Sequence, residues 1–108
     1  MSMKYLVVGT LRNCPLPRVE ELKQRMWQVA LLQQFSVRSE AWHQFEPHGA
    51  TGMLLLSESH FCVHTWPETG EVFVDVFCCS QLFEPKKCIE CIETVFGAQG
   101  NWETTIRS

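Results

Sequence analysis

Between residues 49 and 80 the chain gathers a hydroxyl, an imidazole, a carboxylate and a thiol within one otherwise apolar segment: Ser59, His64, Glu68 and Cys79. A serine hydroxyl is a weak nucleophile until it is positioned and relieved of its proton. An imidazole titrates in the right range to take that proton, and a thiol can hand one back. Each residue alone also has a plain structural reading. Ser59 suits a turn, His64 a hydrogen-bonded strand position, Glu68 after Pro67 a solvated turn, and Cys79 a small buried hydrophobe. Asp75 is harder to place in that way, because a carboxylate inside an apolar strand needs a partner. His43, His48 and His60 carry no comparable pattern.

The elements that must position these groups follow from period and punctuation. Residues 4–9 form a short β-branched run that predicts a first strand. Asn13-Cys14-Pro15-Leu16-Pro17 breaks the chain, with Pro17 placed for the first turn of a helix. Val19, Leu22, Met26 and Val29 recur at helical spacing over residues 18–33. Residues 35–45 alternate as a strand, residues 46–49 turn, and the nearly continuous apolar run 51–57 predicts a central strand. Ser57-Glu58-Ser59 interrupts it before residues 60–66 resume extended structure. A turn over residues 67–70 leads to a strand over 71–79. Glu84-Pro85 opens a helix with Cys88, Ile92 and Val95 on one face, Gly97 ends it, and residues 100–106 form a last strand. The expected fold is α+β, a two-layer sandwich with a mostly antiparallel sheet and two helices packed on one face, as a single domain over residues 1–108.

A hairpin centred near Thr69 sets Thr65 opposite Phe73, Phe61 opposite Phe77 and Ser59 opposite Cys79, with directly opposed β-carbons about 4.5–5.5 Å apart. A slip of one residue would undo that pairing. Strict alternation puts His64 on the face opposite Ser59, so a site shared within one chain requires a bulge or turn near Ser59 and His60.

Composition narrows the function. Apolar residues make up 45% of 108, enough for a core, and a domain this small gains from sharing apolar area in a dimer. A net charge of −3 argues against non-specific nucleic-acid binding. No apolar run reaches the roughly 20 residues that span a bilayer, and residues 5–8 are too short for a leader's apolar core. Six cysteines without such a leader imply free thiols in a reducing cytoplasm. Cys88 and Cys91 have CxxC spacing but sit inside a helical period, which favours packing over a turn-borne zinc site, so no metal is expected.

Taken together, Glu58-Ser59-His60, Val63-His64-Thr65-Trp66-Pro67-Glu68 and Val74-Asp75-Val76-Phe77 followed by Cys79 closely resemble the bacterial and archaeal S-adenosylmethionine decarboxylase proenzymes. Phe45, Pro47, Gly49 and Gly52 also fall where that family's pattern has them, and the strong match covers roughly residues 43–80. The resemblance implies a pyruvoyl-dependent decarboxylase of polyamine synthesis that makes its own cofactor. Ser59 would attack the Glu58 carbonyl, giving a β chain 1–58 and an α chain 59–108 that starts with a pyruvoyl group. A substrate amine would then form a Schiff base with the pyruvoyl ketone, the electron sink for loss of carbon dioxide. By the same resemblance His64 is the processing base, Thr51 supports processing and Cys79 is the proton donor. Phe45 would stack on adenine, Glu68 would bind the ribose hydroxyls, and the protein would be a homodimer with sites at or near its interface.

The chain departs from the family where the substrate is read. Thr69-Gly70-Glu71 replaces the common Tyr-Gly-Tyr, and Cys78-Cys79-Ser80 replaces Thr-Cys-Gly. Glu71 adds an acid that would suit a cationic side chain if it faces the site, so a pyruvoyl-dependent arginine or ornithine decarboxylase is the alternative to S-adenosylmethionine. A non-catalytic regulatory or dimerisation partner and a zinc module through Cys88 and Cys91 are the readings from other classes.

Overall fold

The structure is a computed structural model and describes residues 3–108. The elements run β1 (Lys4–Leu11), α1 (Val19–Leu32), β2 (Val37–Gln44), β3 (Ala50–Leu56), β4 (His60–Trp66), β5 (Glu71–Cys78), α2 (Pro85–Phe96) and β6 (Gly100–Arg107). The strands form one sheet in the order β2-β3-β4-β5-β1-β6, and every neighbouring pair is antiparallel. This is the expected α+β architecture, with the last strand present.

Helix α1 buries Leu22, Met26, Val29 and Ala30, and α2 buries Cys88, Ile92 and Phe96. Phe96 takes the place expected for Val95, which packs only partly against the core. Opposite these stripes the sheet presents Val7, Leu54, Phe61, Val63, Val72, Val74 and Val76, each 0% exposed. Burying such a side chain stabilises the fold by roughly 1.5–3 kcal/mol. Pro85 opens α2, and Gly97 closes it in the left-handed conformation at φ 67. Helix α1 ends without a glycine: Gln34 takes φ 58, and the Phe35 N–H reaches back to the Ala30 carbonyl at 2.9 Å. Gly52 is a packing glycine, because a β-carbon there would collide with the Trp42 ring and crowd Met26 Sδ.

The continuous apolar run in β3 predicted cover on both faces, and within one chain only one face is covered. β3 lies second from the edge, and its outward residues Met53 and Leu55 are 43% and 49% exposed. The same outward face carries Leu6 and Val8 of β1, His60, Cys62, His64 and Trp66 of β4, and Phe73, Asp75 and Phe77 of β5. An open apolar sheet face of this kind marks an interaction surface.

Candidate active site

The Glu58–Ser59 bond lies at the tip of a tight hairpin. Leu55 pairs with His60 and the Leu56 N–H donates to the Ser59 carbonyl at 2.9 Å, which leaves only Ser57 and Glu58 to reverse the chain. Both are exposed, whereas Leu56 and Cys78 beside them are buried. Ser59 Oγ accepts a hydrogen bond from the Cys79 backbone N–H at 3.1 Å. The hydroxyl expected to react is therefore held beside the residue expected to donate a proton.

That neighbourhood survives a correction in register. The β4–β5 hairpin pairs Thr65 with Val72, Phe61 with Val76 and His60 with Phe77, one residue away from the pairing centred on Thr69. The turn has four residues, Pro67 to Gly70, because the Gly70 N–H bonds the Trp66 carbonyl at 3.0 Å and Gly70 takes φ 75. An even loop places the centre between Glu68 and Thr69. Ser59 then lies beyond the last paired residue, where its side chain meets the Cys79 backbone rather than standing opposite its side chain.

The expected bulge near Ser59 and His60 is absent. β4 pairs without interruption to β3 from His60 to His64 and to β5 from His60 to Trp66. His64 stays on the open face, where its Nδ1 is 2.9 Å from Thr51 Oγ1 and its ring tilts against Trp66 and Phe73. Five residue steps along the chain separate it from Ser59, about 17 Å at the usual rise. His64 and Thr51 therefore come together, whereas Ser59 and His64 of one chain do not.

The residues expected to bind the nucleoside lie farther away still. Phe45 and Trp66 are 49% and 48% exposed, Glu68 is exposed in the hairpin turn, and all three sit at the end of β4 remote from Ser59. The strand alone spans about 23 Å. Glu71 pairs with Trp66, shares its outward face, and accepts a hydrogen bond from Thr69 Oγ1 at 3.1 Å. The expected site residues thus fall into two separate groups in one chain, a Ser59–Cys79 pole and a His64–Thr51–Phe45–Glu68 pole.

A cavity of about 620 Å³ opens at the first pole, lined by Ser59, Cys79, Phe35, Phe83, Leu82 and Lys87 among others. A more open depression of about 840 Å³ at the opposite corner holds no nucleophile, and the Glu93 carboxylate in it is committed to Gly100 N–H and Trp102 Nε1–H. Chemistry therefore favours the smaller cavity. Cys88 is fully buried, and burial pushes its thiol up to about 12, a packing residue rather than a thiolate ligand. Among the described residues no group of three or more His, Cys, Asp or Glu side chains could hold a metal ion.

A family model described as S-adenosylmethionine decarboxylase matches residues 7–107. This chain belongs to the S-adenosylmethionine decarboxylase family. It is 40% identical over 99 residues to the S-adenosylmethionine decarboxylase proenzyme of Carboxydothermus hydrogenoformans, with 86% of this chain and 76% of that one covered. It is 30% identical over 100 residues to the proenzyme of Acidithiobacillus ferrooxidans, covering 90% and 75%. Its fold matches the crystal structure of the adenosylmethionine decarboxylase from Aquifex aeolicus with a TM-score of 0.83 at 26% identity, covering 98% of this chain and 89% of that one. These matches do not favour arginine or ornithine decarboxylation.

Within the S-adenosylmethionine decarboxylase frame, two features escaped sequence reasoning. Trp66 stood in the matched motif with no role, yet it is a half-exposed aromatic beside His64, at the same end of β4 as Phe45 and Glu68; its alternation with buried Thr65 was the available signal. Asp75 finds its partner in His60, whose Nε2 is 3.2 Å from Asp75 Oδ1 and whose ring stacks on Phe77 at 5.9 Å.

Proposed function

We propose that the chain is a self-processing, pyruvoyl-dependent decarboxylase of S-adenosylmethionine, working as a homodimer in which each site takes one pole from each copy. The observation that carries the chemistry is the Ser59 hydroxyl, held at 3.1 Å by the Cys79 N–H at the tip of a two-residue turn. A hydroxyl fixed there suits the pyruvoyl precursor, since the group would form at a cavity wall with the Cys79 residue alongside.

In self-processing, Ser59 Oγ bonds to the Glu58 carbonyl carbon and the Ser59 nitrogen leaves with a proton, exchanging an amide for an ester. Loss of the Ser59 α-proton then expels the Glu58 carboxylate from Cβ. Tautomerisation and attack of water release ammonia and leave the pyruvoyl at the head of chain 59–108. His64 takes the proton: when Nδ1–H donates to Thr51 Oγ1 at 2.9 Å, the Nε2 lone pair stays open toward the exposed face. Once formed, the pyruvoyl carbonyl supplies an anchor for the substrate amine and an electron sink for loss of carbon dioxide. Cys79 supplies the proton that replaces the lost carboxylate. Phe45 and Trp66 flank the adenine, and Glu68 accepts from the ribose hydroxyls. Glu71, already engaged by Thr69, borders this pole without selecting a basic amino acid.

The homodimer follows from the split. His64 reaches a Ser59 only in a second copy whose β4 lies antiparallel over the first, about 10 Å away across the packed open faces. That stacking covers Met53, Leu55, Phe73 and Phe77. Its two-fold axis runs close to the cross-strand row Ala41, Met53, Cys62, Asp75 and Val8, the outward row nearest the midpoint of Ser59 and His64. The Cys62 thiols of the two copies then face each other. At that spacing the thiols are too far apart for a direct disulfide, but dibromobimane, each of whose bromides one Cys62 thiolate displaces, is expected to join copies through Cys62 on denaturing gels, and Cys62→Ser to prevent it. A dimer that cross-links equally well without Cys62 would refute this register.

A reducing cytoplasm suits the six free thiols, and no helix among the described residues is long and apolar enough to cross a membrane. The reading as a whole is tested by carbon dioxide release from S-adenosylmethionine, arginine and ornithine side by side. S-Adenosylmethionine is expected to give the highest kcat/KM; faster release from either basic amino acid would overturn the assignment.

A further inference from the structure

We infer that Gln44 is a positioning residue that sets the nucleoside pole, an inference that rests on the substrate reading above. Gln44 ends β2, and its amide touches three separate pieces of chain. Its Oε1 accepts the Val19 N–H at 2.6 Å, taking up a free amide in the first turn of α1, where Arg18 offers no side-chain cap. Its Nε2 faces the carbonyls of Pro17 at 2.9 Å, Gly49 at 2.8 Å and Phe45 at 2.9 Å. The loop is closed on itself by Phe45 N–H to the Gly49 carbonyl at 2.8 Å and tied outward by Gly49 N–H to the Pro17 carbonyl at 2.9 Å.

This network joins the two segments that carry the nucleoside pole. Gly49, at φ 107, packs against the Thr65 carbonyl and the Pro67 ring, the approach to Glu68. Thr65, only 5% exposed, bonds both sides from the other direction: its Oγ1 donates to the Leu16 carbonyl and accepts the Ala50 N–H, each at 2.9 Å. Phe45 itself is 49% exposed, and its ring meets the His43 ring edge-on at 4.5 Å. The direction of its ring is therefore set by its backbone, and Gln44 holds that backbone. Gln44 is on the side of β2 away from the open face and remote from Ser59, so it touches no reacting group.

Only a primary amide offers an acceptor and donors in one plane at this reach. Gln44→Glu keeps the acceptor for Val19 but sets a carboxylate against carbonyl oxygens; Gln44→Met removes both functions at similar volume. In the processed dimer, both variants are expected to raise the KM for S-adenosylmethionine about tenfold with kcat within about twofold, and to be cut as completely as wild type. The inhibition constant of methylthioadenosine, which carries the nucleoside but no reacting amine or carboxylate, should rise by the same factor. In a Phe45→Ala background, Gln44→Met should add nothing further. A fall in kcat with KM and the nucleoside inhibition constant unchanged would overturn the inference, as would full additivity with Phe45→Ala. If Gln44→Met fails to fold, Gln44→Glu, which retains the helix-capping acceptor, decides on the same criteria. A wild-type protein that binds methylthioadenosine but releases no carbon dioxide from S-adenosylmethionine removes the substrate reading and this inference together, with a signature that neither variant result shares.

Discussion

Ser59→Ala is expected to leave the chain whole. Wild-type protein should resolve by intact mass into fragments 1–58 and 59–108, the second lighter than its sequence mass because nitrogen leaves as ammonia and the residue ends as a keto acyl group. The variant should show one uncut species and no decarboxylation, because the acyl shift forms a bond to Oγ and no neighbouring group can replace it. Ser57, the other hydroxyl in the hairpin, lies on the N-terminal side of the bond and cannot give an α chain starting at residue 59. Misfolding is not an adequate explanation for such a result: the substitution removes one acceptor from the part-buried Cys79 N–H, a cost of about 1 kcal/mol, small beside the stability of a domain. Two fragments of unchanged size from Ser59→Ala would refute the cut site. Two fragments of new size would relocate it.

His64→Ala is expected to be cut poorly by itself and to be rescued by a partner that cannot be cut at all. The reason is the distance. Within one chain about 17 Å of regular strand separates His64 from Ser59, and the β4 pairing contains no bulge that could shorten it. An imidazole must be within hydrogen-bond reach, directly or through one water, to take a proton. Co-expression of His64→Ala with Ser59→Ala supplies a dimer in which one pole pair is intact: the Ser59 of the first chain and the His64 of the second. At equal expression and random assembly about half of the His64→Ala chains are then expected to be cut, since only mixed dimers hold the intact pair, while the Ser59→Ala chain stays whole. Chains tagged differently in mass would report this directly. Cutting of His64→Ala at the wild-type rate without a partner would remove His64 from the processing role. Poor cutting with no rescue in demonstrated mixed dimers would place the base and the hydroxyl in one chain, against the geometry of β4.

The parts of this protein that depend on local pattern were legible in order. The 3.6-residue period of Leu22, Met26 and Val29 specifies a one-faced helix whatever it packs on, and Gly97 stops α2 because a residue without a β-carbon tolerates φ 67. The same holds for the Glu58-Ser59 turn, whereas the group types at residues 59, 64 and 79 pointed to a reaction only through the resemblance of their surrounding motifs to the family. Even the odd feature of β3, an apolar run on both faces, carried real information: no second layer of this chain covers its outward side, the face assigned to a second copy in the proposed dimer.

Tertiary structure decided what those groups can reach. The Ser59–Cys79 contact survived a wrong register because the true pairing runs one residue differently, and that difference came from the Gly70 N–H closing on Trp66, a hydrogen bond no alternation pattern encodes. The Gln44 network joins Pro17, Val19 and Phe45–Gly49 across segments far apart in sequence, so no window of residues displays it. The sequence by itself therefore determined the family, through its motifs, and the two-layer fold. The separation of Ser59 and Cys79 from His64 and Thr51 along β4, on which the proposed dimer rests, emerged only when unbroken strand pairing set the distances.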